Sequence, residues 1–204
     1  MATPLKIALT KMRCLEETNE VGSDEPYVLV FAAQVKPAIG NIIIPSAHTT
    51  MYGPWEDVDK GDLLSTGFLN IIKPANCWGL DGKPAVINNA NDVIILVALM
   101  ENDDATPAGI RAGLHAQMFA ALTSYSNSGM SRASMVQNLR KDMRDVLVGI
   151  TVTGIPNSDD LVGIAELSIK SSDIAAASAG TTVVKNILLT GDGGQYRLRF
   201  EMSK

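Results

Sequence analysis

The fold is decided by Val93-Ile-Ile-Leu-Val-Ala-Leu-Met100, followed shortly by Thr106-Pro107. Every residue of the first segment is apolar, and its length suits a strand and not a membrane span, which needs about 20 residues. A strand that is apolar at every position has to be covered on both faces. Thr106 and Pro107 supply a helix N-cap and a proline at the first helical position. We therefore expect a central strand that is covered on one face by the helices that follow it.

Apolar residues recur at helical spacing after Pro107 up to Tyr125, and again from Met135 to Leu147. Ser126-Asn-Ser-Gly129 separates the two stretches, which predicts an αα-hairpin at about residues 106–148 with one buried side. Two interpretations of its methionines stay open. They pack on the 93–100 strand, which we favour, or they contact a neighbouring subunit. The methionines concerned are Met118, Met130, Met135 and Met143.

Alternating apolar and polar residues flank the hairpin on both sides and predict strands. Residues 36–92 are rich in proline and glycine, which favours short strands and long loops. No linker or repeat interrupts the chain, so one domain over residues 1–204 is the simplest organisation. The sequence therefore predicts a mainly β protein, an antiparallel β-sandwich with an inserted αα-hairpin. The alternating segments lie at residues 5–15, 27–35, 149–153, 161–169, 182–189 and 195–202.

The 204 residues are 46% hydrophobic and carry a net charge of −5. Such an acidic chain lacks the broad positive field that nucleic-acid binding needs. Cys14 and Cys77 are too few for a disulfide scaffold, and we expect free buried thiols. Neither a secretory signal nor an apolar run of membrane length is present. We expect a protein that is cytoplasmic or exported without a signal peptide, and that is not an integral membrane protein.

Carboxylates gather in four loops of the predicted sandwich. Their repulsion would be offset by a hard divalent cation with many oxygen ligands, and calcium fits this description best. The alternative is that these acids only solubilise loop tips and form turns. An EF-hand at residues 57–68 is excluded because Gly61 comes one position early and Phe68 stands where a glutamate belongs. The clusters are Asp24-Glu25; Glu56, Asp57, Asp59 and Asp62; Glu101, Asp103 and Asp104; and Asp159-Asp160.

Three of these stretches resemble the calcium loops of C2 domains. Residues 19–28, Asn-Glu-Val-Gly-Ser-Asp-Glu-Pro-Tyr-Val, resemble the family's first calcium loop. Residues 100–103 are similar to its Asp-x-Asp at the end of a core strand, and residues 159–163 resemble its following acidic pair. The resemblance implies an antiparallel β-sandwich that holds calcium between loops at one end. The ligands it implies are Glu25, Glu101, Asp103 and Asp160 first, then Asn19, Asp24, Asp104 and Asp159.

The chain also departs from the family pattern. Asn19 and Glu101 stand where the family has aspartate, and Glu25 takes the place of the aspartate before the proline. The predicted helical hairpin lies inside the third loop, where 56 residues separate Asp103 from Asp160. Such an insertion is compatible with the site only if its two ends lie close together.

The sequence carries no motif of a known catalytic site. It contains no Gly-x-Ser-x-Gly and no glycine-rich phosphate loop that opens a helix, and we expect no enzyme. The first functional expectation is a noncatalytic calcium-binding interaction module. By resemblance to C2 domains it would bind an anionic phospholipid or a protein partner, with Trp55 and Trp78 as membrane wedges or as core residues. The alternative is a self-associating structural or assembly protein, a homo-oligomer in which calcium is absent or only stabilising.

Overall fold

A computed structural model describes residues 2–19, 22–35, 44–66, 72–103, 106–149, 151–152, 155–156 and 159–204. Eleven strands and three α-helices are assigned within these ranges. In chain order they are β1 (Pro4–Glu16), β2 (Pro26–Gln34), β3 (Ser46–Tyr52), β4 (Leu63–Ser65), β5 (Ala85–Val86), β6 (Val93–Glu101), α1 (Pro107–Asn127), α2 (Arg132–Gly149), β7 (Thr151–Val152), β8 (Ile155–Pro156), β9 (Leu161–Glu166), α3 (Ser171–Ser178), β10 (Val183–Gly191) and β11 (Gly194–Ser203).

Two antiparallel sheets pack face to face. The first sheet has the strand order β10-β11-β1-β4, and β5 pairs with the start of β1. The second sheet has the order β3-β2-β6-β9, and β7 and β8 form a separate ribbon. The α1–α2 hairpin is inserted between β6 and β9. The predicted mainly β sandwich with an inserted helical hairpin is confirmed.

The core between the sheets follows from the two-residue period of the strands. Along β11, Tyr196, Leu198 and Phe200 point inward and are at most 1% exposed. Trp55 and Trp78 also lie in this core, so neither is a membrane wedge. The free thiols of Cys14 and Cys77 are buried here as well, which confirms that prediction.

Strand β6 is buried on both faces, as its sequence requires. Ile95, Val97 and Leu99 belong to the core between the sheets, whereas Leu96 and Met100 face the helical hairpin. The residues that face the hairpin form a second core, between the sheet and the helices. Burying one such side chain fully contributes about 2 kcal/mol, so this second core holds the helices firmly on the sheet. It includes Met118, Met135 and Met143, which confirms core packing for these methionines.

Polar contacts fix the position of the hairpin. The Arg132 guanidinium donates to the Val93 carbonyl at 2.7 Å and forms an ion pair with Glu166 at 2.7 Å. Arg140 donates to the Ile164 carbonyl at 2.9 Å. Because both arginines are on α2 and their partners are on β6 and β9, the helical layer is tied to the second sheet at two strands.

The structure differs from the sequence-based prediction at several element boundaries. Strand β9 ends at Glu166, three residues earlier than expected, and the small-residue stretch that follows forms α3. The expected apolar pieces at residues 42–44 and 68–72 lie mostly outside the described residues. No helix within the described ranges is long and apolar enough to cross a membrane.

Candidate functional site

The helical insertion begins and ends at one place. The Glu101 amide donates to the Asp160 carbonyl at 2.8 Å, and the Asp160 amide donates to the Glu101 carbonyl at 3.2 Å. This pair closes the base of the insertion. The two acidic stretches that lie far apart in the sequence are therefore adjacent in the fold.

The first acidic loop reaches the same position because β2 begins at Pro26, which pairs with Glu101. The Glu25 amide donates to Glu101 Oε1 at 2.9 Å. Asn102 Nδ2 in turn donates to Glu25 Oε2 at 3.1 Å. Glu25 and Glu101 are thus joined in one hydrogen-bonded group at the end of β6.

Asp159, like Glu101, is a buried member of the acidic group. Its Oδ2 accepts a hydrogen bond from the Tyr27 hydroxyl at 2.6 Å, and its Oδ1 accepts one from the Asp103 amide at 3.2 Å. Burial raises the pKa of the Tyr27 hydroxyl, and the hydrogen bond and negative charge of Asp159 raise it further. Asp159 therefore holds Tyr27 on one side and the loop after β6 on the other.

Asp160 is exposed and lies among like charges. Partial desolvation raises the pKa of its carboxyl above the usual value, and the negative charges of Asp192, Asp103 and Asp159 act in the same direction. Asp192 belongs to the turn between β10 and β11, and its carbonyl accepts a hydrogen bond from the Asn19 amide at 3.1 Å. We call this group the acidic pole: Asn19, Glu25, Glu101, Asp103, Asp159, Asp160 and Asp192.

Asp192 was missed at the sequence level. Gly191-Asp-Gly-Gly194 predicts a hairpin turn, and the structure has one. From the sequence alone, Asp192 is therefore interpreted as a turn residue and not as a candidate ligand. No local signal could have placed it beside the other acids, because the position of this turn depends on the pairing of β11 with β1, which lies far away in the sequence.

Asp24, another expected ligand, is buried and bonded within the fold. It is 2% exposed and accepts hydrogen bonds from the Thr18 amide at 3.0 Å and the Thr18 hydroxyl at 2.7 Å. The Tyr196 hydroxyl is a third donor to the same carboxylate. Both oxygens of Asp24 are thus used within the fold, where they hold the first loop on β11.

The chemistry of the acidic pole suits calcium, which prefers carboxylate and amide oxygens. Among the described residues, however, no group of three or more Asp, Glu, His or Cys side chains already has the arrangement of a metal site. Asp103, Asp160 and Asp192 are exposed, and these are the side chains that would have to turn toward a common ion. Asp104, another expected ligand, lies outside the described residues.

The two histidines lie where β3 packs on α1. Thr49 Oγ1 is 3.0 Å from His115 Nδ1, and the ring of His115 stacks on Phe119 with 6.1 Å between centroids. Partial burial lowers the pKa of His48, and the nearby charges of His115 and Arg111 lower it further. His48 also lines a cavity of about 290 Å³ beside Trp78.

Comparisons with protein-family models, with curated proteins and with solved structures each found no match. The geometry and charge of the acidic pole are therefore the features that point to a function.

Proposed function

We propose that the chain is a noncatalytic interaction module whose acidic pole binds calcium. The observation that carries the proposal is the convergence of acidic residues from separate parts of the chain: the Glu25 amide donates to the Glu101 carboxylate, and the charges of Asp192, Asp103 and Asp159 act on Asp160. Such a cluster costs free energy through mutual repulsion, and a divalent cation offsets that cost. The proposed ligands are drawn from Asn19, Glu25, Glu101, Asp103, Asp159, Asp160 and Asp192.

The arrangement favours calcium over magnesium. Calcium accepts six to eight oxygens in irregular geometry, whereas magnesium requires a near-octahedral set and keeps several waters. The hydrogen bonds on Glu101 Oε1 and on both oxygens of Asp159 do not exclude them as ligands, because a carboxylate oxygen has two lone pairs. These bonds fix two carboxylates, and the exposed aspartates complete the ligand set by rotation.

An ion at this exposed pole would also have positions open to a partner. A phosphate or carboxylate group of another molecule can fill them, as the resemblance to C2 domains implies for an anionic phospholipid or a protein. The function proposed is therefore calcium-dependent binding of an anionic partner at the end of the sandwich.

Thermal unfolding with calcium, magnesium and chelator tests the calcium step. Binding to the folded state alone stabilises it by about 2.7 kcal/mol when the ligand is at a hundred times its dissociation constant. We expect the unfolding midpoint to rise with calcium and to change less with magnesium. An equal midpoint in calcium and in chelator would overturn the proposal.

A pair of matched variants locates the effect. D103N/D160N removes two charges from the acidic pole, and D81N/D92N removes two charges at the other end of the sandwich, where Asp92 directly precedes β6. The calcium-dependent shift should be lost in the first variant and kept in the second. A shift that both variants keep would place the ion elsewhere.

A further inference from the structure

The outer face of the first sheet concentrates positive charge. Along β11, Arg197 and Arg199 point outward because the residues between and beside them point into the core. In the register of β1 and β11, Arg13 pairs with Arg197 and Lys11 pairs with Arg199. Two pairs of cations are therefore neighbours across the middle of this sheet.

This arrangement is unfavourable for the isolated chain. Like charges directly opposite each other on adjacent strands are destabilising. Arg199 forms an ion pair with Glu201 at 2.8 Å, but Lys11, Arg13 and Arg197 have no ion-pair partner within the part of the chain that the structure describes. We call this surface the cationic face, and its basic residues are Lys6, Lys11, Arg13, Arg197 and Arg199.

Exposed apolar side chains border the cationic face. Leu188 on β10 pairs with Arg197, and Leu63 on β4 pairs with Arg13, so one row crosses four strands. Leu188 is 49% exposed and Leu63 is 54% exposed, although both are large aliphatic residues. With about 4.8 Å between strands, the row is about 14 Å long. The row therefore combines a basic centre, which an acidic surface can match in charge, with some apolar area at its edges.

We propose that the cationic face of one molecule binds the acidic pole of a second copy of this chain. Each copy carries both surfaces, and they are opposite in charge: the pole holds Asp103, Asp160 and Asp192 in exposed positions. Opposed charges of this kind steer association and make it strongly dependent on salt. Since the two surfaces differ, the contact is heterologous and repeats from copy to copy, which gives rings or open chains.

Charge reversal tests this contact in sedimentation-velocity experiments at low and high ionic strength. All samples contain chelator, so the result does not depend on whether calcium binds. R13E/R197E should weaken self-association roughly a hundredfold, because acidic residues then face an acidic pole. K141E/R144E changes the net charge equally on the exposed side of α2 and should leave association intact. High salt should dissociate the wild-type assembly.

A mixture of reversed copies supplies the decisive result. D103K/D160K alone should be monomeric, because its pole becomes basic and meets a basic face. Mixed with R13E/R197E, it should associate again at one-to-one stoichiometry, in rings or chains where the two variants alternate, because the pole of each variant is then opposite in charge to the face of the other. Recovery of a complex also shows that both variants are folded.

Three outcomes would overturn the proposal. The wild type could be monomeric at low salt, the mixture could remain two monomers, or R13E/R197E could associate as the wild type does. Binding of the cationic face to vesicles of anionic phospholipid, with no self-association, would assign the face to a membrane and overturn the proposal as well.

Discussion

Asp24 and Asp160 both lie near the end of the sandwich where β6 ends, and their surroundings are opposite. Asp24 is buried and accepts hydrogen bonds from Thr18 and Tyr196, whereas Asp160 is exposed and lies among other carboxylates. The first carboxylate stabilises the fold, and the second is held in the fold against electrostatic repulsion. The comparison shows that two acids of one region can differ in role according to their hydrogen-bond donors: Asp24 has donors from Thr18 in its own loop and from Tyr196 on β11, and Asp160 lies among like charges.

Replacing the buried carboxylate of Asp24 should change stability more than the other substitutions considered below. Asp24→Ala should lower the free energy of unfolding by about 3 kcal/mol, because the Thr18 amide and the Tyr196 hydroxyl lose their buried acceptor. Denaturant unfolding measures the change. Asp24→Asn keeps one acceptor oxygen and should be less destabilising than alanine. A loss below about 1 kcal/mol for Asp24→Ala would show that this carboxylate is not a structural one.

Tyr27→Phe tests the contact between the core and the acidic pole. It removes the hydroxyl that donates to Asp159 and keeps the buried ring, so we expect a loss of about 1 kcal/mol. This corresponds to a decrease of roughly 2–4 °C in the unfolding midpoint of a chain of this size. Tyr125→Phe, which removes a more exposed hydrogen bond to Asp142, is the matched control and should have a smaller effect. Equal shifts would contradict a special role for the buried bond.

Replacing Asp160 should have a small effect on stability, and it should be stabilising. The pKa of Asp160 is raised in the folded protein, so its ionisation opposes folding. The folded state therefore loses stability as the pH rises through the unfolded and then the folded pKa of this carboxyl. Without calcium, Asp160→Asn should stabilise the protein at pH 7 by less than about 0.5 kcal/mol, because the group is solvent-exposed and screened.

The pH dependence of Asp160→Asn checks this sign. The gain should vanish below the unfolded pKa of aspartate, about 3.9, because both proteins are then neutral at this position. Added salt should also reduce the gain. Unfolding midpoints of both proteins, measured from about pH 3 to about pH 8 so that the usual aspartate titration is covered, give the pH trend. The same measurement at low and high salt gives the salt trend. Destabilisation at pH 7 would mean that the Asp160 charge is favourable in the fold.

The layers of the fold could be predicted because their signals are local. An all-apolar strand at 93–100 requires two covers, and Thr106-Pro107 with its apolar stripe identifies one of them. Strands β3 and β4 could not be predicted from the sequence. Residues 46–52 and 63–65 form strands because they pair with β2 and β1, and not because apolar and polar residues alternate within them.

The acidic pole could be predicted only in part. The resemblance placed Glu25, Glu101 and Asp160 together, and the structure brings these three to one end of the sandwich. The sequence could not show which of the neighbours Asp24 and Glu25 is buried, because one donor to Asp24 is Tyr196, 172 residues away, in addition to Thr18. Long-range donors of this kind leave no local pattern.

Calorimetric titration of calcium into the metal-free protein measures whether the acidic pole binds the ion. We expect a saturable binding heat in the wild type that is retained in D81N/D92N and lost in D103N/D160N. The same heat in both variants, or no binding heat in the wild type, would contradict the claim that the acidic pole is a calcium site.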